Sequence, residues 1–225
     1  MTARANAGTG PDPITADGCA VEFYTLLPPD GEAEIVHAAV PPGASVLELG
    51  CGTGRILRGL AGLGHAVLGV DESPEMLGQA TDLDTVLSPI ETLDLRRSFD
   101  AVLLASTLIN TPDPAARAAM LNTARRHTNG GGSVVVQWHP PQWLDALAPF
   151  NVERDGIRYT IAAIERDGPS LRTTIEYRFE HRCWTHTFTA HRLSEDELVE
   201  AVRGAGFGQI RWLTADRAWL AVPAA

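Results

Sequence analysis

A doubly wound α/β fold is predicted for this chain, with a mostly parallel seven-stranded sheet and an antiparallel β insert after the fifth strand. Three observations point there. Short apolar runs alternate with helical stretches five times between residues 45 and 138, the order that lays helices over both faces of a parallel sheet. The first run ends in a turn carrying three alternating glycines, Gly50, Gly52 and Gly54. From about residue 157 to 192 the apolar period shortens to two, as antiparallel strands require.

In chain order, residues 1–18 are rich in Ala, Thr, Gly, Pro and Asp, show no periodicity and read as a flexible leader, one able to fold over a ligand. Residues 19–150 form the core with its N-terminal cap. An amphipathic stretch from Val21 is broken by Pro28 and Pro29, and a short helix from Glu32 to Val40 is stopped by Pro41, Pro42 and Gly43. The first strand is Ser45–Leu49. After the glycine turn, Ile56, Leu57, Leu60 and Leu63 mark the buried face of a helix. Ala66–Val70 is the second strand, and Ser73 then caps a helix with Pro74 at its first position. Thr85–Leu87 and Phe99–Leu104 are the third and fourth strands, a helix runs from Asp113 to Thr128, and Gly130–Gly132 lead into the fifth strand, Ser133–Trp138. The insert occupies residues 151–192, with Asp167 and Gly168 as a hairpin turn between alternating strands. Residues 193–225 return to the core: Ser194 and Glu197 form a capping box, Leu193 and Leu198 its staple, and two strands near 209–213 and 217–222 close the sheet.

Composition removes several classes of function. With 225 residues, 44% hydrophobic and 20% charged, the chain suits one soluble α/β domain. A net charge of −10 with no dense Lys/Arg run excludes a nucleic-acid backbone as partner. No apolar run approaches the roughly 18 residues of a membrane span. Cys19, Cys51 and Cys183 are too scattered for a disulfide framework or a zinc site. The N-terminus has an early arginine but no apolar core behind it, so no secretory signal is read and a reducing cytoplasm is the expected setting.

The stretch Val46–Arg55 organises the rest. A buried strand stops at Leu49, and the turn that follows brings backbone N–H groups and a helix N-terminus close to whatever ligand fills it. Its spacing is not that of the dinucleotide fingerprint, which needs a glycine or alanine where Arg55 stands; here the third glycine comes one residue early. With Glu48 two residues ahead of Gly50, the pattern E-x-G-x-G-x-G resembles motif I of the class I S-adenosylmethionine-dependent methyltransferases. The likeness extends over roughly residues 20–223. It implies a Rossmann-like fold, S-adenosyl-L-methionine as cofactor with S-adenosyl-L-homocysteine as product, and methyl transfer to a small molecule, an N- or O-nucleophile of a specialised metabolite. It also makes the insert an acceptor pocket or a homodimer contact. A non-methylating rearrangement or cyclisation on the same fold, or a non-catalytic cofactor-binding protein, are the alternatives.

Asp71 ends the second strand, so it faces the same crevice as the glycine turn and can accept hydrogen bonds from both ribose hydroxyls; Glu72 follows it. Met76 is placed to pack on an adenine face. The resemblance implies further cofactor contacts: Glu48 and the Ala105 carbonyl with Ser106 toward the methionine ammonium, Arg55 either toward its carboxylate or simply on the surface, and Ile90 and Glu91 toward adenine. Pro89 stands where the family's third motif usually carries an aspartate. Two residues are candidates for chemistry. His139 follows the fifth strand on the ligand side and titrates near neutrality, which suits a general base. Tyr24, in the cap, is placed by the resemblance over the reacting sulfonium. Trp184, His186 and Phe188 alternate on one face of the insert, lining the acceptor pocket or covering the sheet. No carboxylate follows the fifth strand, so no catalytic metal is expected.

Overall fold

A computed structural model describes residues 6–225. The chain begins with β1 (Ala7–Thr9), α1 (Val21–Leu26) and α2 (Glu32–Ala39). The main sheet and its helices follow: β2 (Ser45–Leu49), α3 (Arg55–Gly62), β3 (Ala66–Asp71), α4 (Pro74–Leu77), β4 (Thr85–Leu87), β5 (Phe99–Leu104), α5 (Pro114–Arg126) and β6 (Thr128–Gln137). Next come α6 (Pro141–Ala146), then β7 (Phe150–Arg154), β8 (Ile157–Asp167), β9 (Ser170–Phe179) and β10 (Arg182–His191). Helix α7 (Glu195–Gly204) and strands β11 (Arg211–Trp212) and β12 (Trp219–Pro223) complete the chain.

The main sheet has seven strands in the order β11-β12-β6-β5-β2-β3-β4. All pairings from β6 to β4 are parallel, and β12 joins β6 antiparallel. The chain leaves β2 in one direction and returns on its other side at β5, so a crevice opens beyond the carboxyl ends of those two strands. The strands are apolar without alternation because both faces are covered. Leu47, Val102, Val134 and Val136 pack under α5 and α7, whereas their neighbours Val46, Ala101, Leu103 and Val135 pack under α2 and α3; all eight are wholly buried. The expected caps are present: Ser73 Oγ accepts from the Met76 N–H, and Ser194 and Glu197 form the reciprocal box.

The insert is a separate antiparallel sheet in the order β1-β10-β9-β8-β7. Its outermost strand corrects the expected flexible leader. Residues 1–5 lie outside the described residues, but Ala7–Thr9 pair with Thr185–Thr187 of β10, and Ile14 bridges Ala20. A leader without periodicity gives no local sign of this, because its partner is an edge strand far away in the chain. Helix α1 lies on the same sheet: Phe23 stacks on Tyr177 at 3.9 Å, beside the wholly buried Trp184. A second difference follows β6, where α6, not among the expected elements, starts at Pro141, with proline in the first turn, a place where its missing N–H costs nothing.

Two glycine substitutions test this packing. A Cβ on Gly69 would lie 2.6 Å from Cys51 Sγ and 2.7 Å from Leu57 Cδ1, both buried. Gly69→Ala is expected to destabilise by about 1–3 kcal/mol through overpacking. A Cβ on Gly62, the last residue of α3, meets nothing within 4 Å. Gly62→Ala is therefore expected to stabilise by a few tenths to about 1 kcal/mol. Chemical denaturation of the two variants checks both, and equal effects would contradict the packing between β3 and α3.

Candidate active site

The glycine turn is built on three left-handed residues, Gly50 (φ 75°), Gly52 (φ 53°) and Gly54 (φ 81°). At Gly54 a Cβ would stand 2.4 Å from Leu83 Cδ1 as well, so both conformation and space demand glycine there. The turn hangs from β3: the N–H groups of Gly50 and Cys51 both donate to the Val70 carbonyl, at 2.8 and 2.9 Å. Asp71 completes the brace, Oδ2 accepting from the Gly52 N–H at 2.8 Å and Oδ1 from the Ser73 N–H at 2.9 Å. Burial raises the Asp71 carboxyl above its usual range, and those N–H donors pull it back. Each carboxylate oxygen retains a further acceptor site.

Glu48 lies in β2 directly before the turn and is only 3% exposed. Its Oε2 has no hydrogen-bond partner among the described residues, and burial pushes its pKa up to about 8 despite the charge of nearby Arg55. A buried carboxyl with an orphan oxygen beside a helix N-terminus fits a cationic group such as the cofactor's ammonium. Arg55 itself has partners: it pairs with Glu32 at 2.6 Å and donates to the Pro28 carbonyl at 3.2 Å. The guanidinium expected either on the cofactor carboxylate or on the surface thus ties α3 to α2.

The remaining expected cofactor residues spread around the same crevice. Met76 is buried, and its sulfur lies 3.9 Å from where a Gly52 Cβ would be. Ile90 is half-buried beside Gly50, while Glu72 and Glu91 are exposed. Partial burial, followed by the charges of Asp17, Glu91 and Asp71, raises the Glu72 carboxyl. Asp17, from the leader, is near enough for its charge to act on both Asp71 and Glu72. Tyr24 is brought there from the other side: its Oη accepts from Cys19 Sγ at 3.2 Å and its carbonyl from Thr53 Oγ1 at 3.4 Å. Burial raises the phenol well above its ordinary value, so Tyr24 stays protonated. His186 reaches the Asp17 carbonyl at 3.3 Å, whereas Trp184 is core between α1 and the insert.

Beyond β5 the backbone is strained. Ser106 (φ 53°) and Thr107 (φ 56°) are consecutive left-handed residues without being glycine, a cost of about 1 kcal/mol or more each. The Ser106 N–H is held by Gln137 Oε1 at 2.8 Å, and the Ala105 carbonyl accepts from the Leu108 N–H at 3.3 Å. Asn110, only 2% exposed, clamps three segments: Oδ1 accepts from the His139 N–H at 2.8 Å, and Nδ2 donates to the carbonyls of His139 (3.1 Å) and His191 (3.0 Å). His139 is thereby fixed at the end of β6, its ring stacked on Trp143 at 3.8 Å with planes 2° apart. Burial lowers its imidazole to about 4, so it is neutral at physiological pH and a weak base. Asn110, Gln137, Asp17, Cys19 and Trp143 were not among the expected site residues. Only Asn110 carried a sequence hint, as a polar residue in the loop after the fourth strand.

The Glu48 carboxyl generates a test in the ligand-free protein. Below about pH 4.5 it is protonated folded or unfolded; as pH rises toward 8 only the unfolded chain releases the proton, so stability falls across that window. Glu48→Gln, isosteric and non-titrating, is expected to lose less stability than wild type between about pH 5.5 and 9. Parallel profiles from denaturation at each pH would show that Glu48 is ionised throughout.

Comparison with known proteins agrees with this site. A family model described as a methyltransferase domain matches residues 46–132, from β2 into β6. The dTDP-3-amino-3,6-dideoxy-α-D-glucopyranose N,N-dimethyltransferase of Streptomyces fradiae is 31% identical over 188 residues, 77% of this chain and 74% of that one. The demethylmenaquinone methyltransferase of Tropheryma whipplei is 30% identical over 181 residues, 77% and 70% of the two chains. Among solved structures, the sugar N-methyltransferase KedS8 from Streptoalloteichus is similar with a TM-score of 0.73 at 24% identity, covering 96% of this chain and 98% of that one. That structural likeness speaks for the fold, but the similarity to the Streptomyces relative extends over most of both chains. The chain belongs to the class I S-adenosylmethionine-dependent methyltransferases, and S-adenosylmethionine is its methyl donor.

Proposed function

We propose that the chain methylates the amino nitrogen of a small molecule, an amino sugar of a specialised metabolite. The observation that carries this is the weak base fixed at the end of β6: His139, held by Asn110 and neutral at physiological pH, suits an amine that binds unprotonated and not a hydroxyl that must lose its proton. The amino-sugar N-methyltransferase among the relatives supports the same class.

Bound in the crevice, the cofactor supplies a methyl group on a sulfonium centre. In this reading Glu48 takes the methionine ammonium on its orphan oxygen, Asp71 takes the ribose hydroxyls, and Met76 packs against adenine. Tyr24, neutral and held by Cys19, sets an aromatic ring and hydroxyl by the reacting centre. The acceptor amine binds with its lone pair free, having left its proton to solvent; alignment and exclusion of water then supply most of the rate. His139 is too weak a base to take a proton from an ammonium, so its imidazole orients the acceptor by hydrogen bonding. This replaces the general-base role expected of it from position alone.

Turnover of dTDP-3-amino-3,6-dideoxy-α-D-glucopyranose to an N-methylated product, followed by mass spectrometry, tests the reading. Turnover of hydroxyl acceptors only would overturn it. His139→Ala is expected to lower turnover by less than about tenfold, whereas a hydroxyl acceptor needing a base would lose roughly 10²–10⁴. The rate should also rise with pH as free amine accumulates, without an inflection from His139 above about pH 5.

Calorimetric titration with S-adenosylhomocysteine near pH 7, in buffers of differing ionisation enthalpy, should show net proton release as Glu48 ionises against the ammonium. Glu48→Gln should abolish that release and weaken binding. Release unchanged in the variant would remove Glu48 from the ammonium site.

A further inference from the structure

Trp143 is 45% exposed, the one aromatic ring among the exposed large apolar side chains of the described residues. Its placement is not that of a loosely tethered surface residue. One face of the indole is covered by His139, leaving the other open. Helix α6, which carries it, is fixed from below. Leu144 is buried against Leu171 and Ala190 of the insert, and Asp145 receives both Nε and Nη2 of Arg192 at 2.6 Å. Arg166 donates to the carbonyls of Leu144 and Leu147 at 3.0 and 2.8 Å. Asn110 holds the backbone of His139 on both sides. Neither ring nitrogen of His139 bonds any described residue, so a polar edge stays open beside the stacked pair.

We propose that the open face of Trp143 is the stacking platform for the pyranose ring of the acceptor, with the His139 imidazole edge hydrogen-bonding a ring hydroxyl or amine. This rests on the amino-sugar reading above. A pyranose has an apolar face of C–H bonds and a polar rim, the shape that a fixed indole bordered by a polar edge fits. A ring already immobilised loses little conformational freedom on binding. A protein partner fits less well, since α6 carries no other exposed large apolar side chain. The platform lies next to the residue that follows β6, so a sugar seated on it reaches toward the carboxyl-end crevice.

The test uses the full chain loaded with S-adenosylhomocysteine and two probes, dTDP-3-amino-3,6-dideoxy-α-D-glucopyranose and thymidine diphosphate. Saturation-transfer NMR should give the strongest signals on the sugar-ring protons of the first probe. Trp143→Ala should weaken its binding by about tenfold or more and raise KM with kcat nearly kept, Trp143→Phe falling between. Affinity for S-adenosylhomocysteine should stay as in wild type, which also reports that the variants fold. If Trp143→Ala binds and methylates the sugar like wild type, the platform is wrong while N-methylation stands. Saturation concentrated on the thymine protons and abolished by Trp143→Ala would assign the indole to the base and overturn the proposal, as would a fall in kcat at constant KM. Failure of the first probe to bind wild type would bring down both the platform and the amino-sugar reading.

Discussion

The Asp71 carboxylate holds the end of β3 to the turn after β2, and the donor side of the site depends on that tie. Each oxygen takes one backbone N–H, from Gly52 and from Ser73. The first fixes the left-handed Gly52 in the turn; the second starts α4, which carries Met76. Removing the carboxyl would therefore loosen the glycine turn and the start of α4 together. Asparagine at this position separates the two effects better than alanine, because its Oδ1 can still receive one of the N–H groups.

Asn110 does the corresponding work on the acceptor side. Its one amide joins the strained turn after β5, the backbone beyond β6 and the end of β10, segments far apart in the chain. A buried amide with both ends satisfied is directional, so it fixes His139 in orientation as well as position. The left-handed pair Ser106 and Thr107 persists because Gln137 and this clamp over-determine the loop. The two halves thus differ in construction: backbone hydrogen bonds and glycines hold the donor side, side-chain clamps the acceptor side.

That difference explains what the sequence disclosed. The donor side follows local rules: an apolar run, glycines at set spacing, a carboxylate ending the next strand, Ser73 and Pro74 opening a helix. Strands β2, β4 and β5 and the capping box at Ser194 have the same local character, and each lies where its residues indicate. The acceptor side rests on tertiary partners without a period. Arg55 is claimed by Glu32 across two helices, and the Trp143 ring is meaningful only because α6 turns it onto His139. His127 and His65, which have no partners at diagnostic spacing in the sequence, are 1% and 6% exposed, His127 as the residue that caps α5. His127 is held by the Leu95 N–H at 3.1 Å, a neighbour that only the folded chain supplies.

The leader strand has a kinetic meaning. Strand β1 contributes three residues to an edge, so parting it from β10 breaks few hydrogen bonds. The parallel strands behind it carry the wholly buried core and open only with global unfolding. The chain between β1 and α1, with Asp17 and Cys19, can therefore peel away as a unit of low local stability while the cradle beneath keeps its shape. Exchange of its amide protons would then run far ahead of the central sheet, and bound cofactor that touches this strap would slow it first.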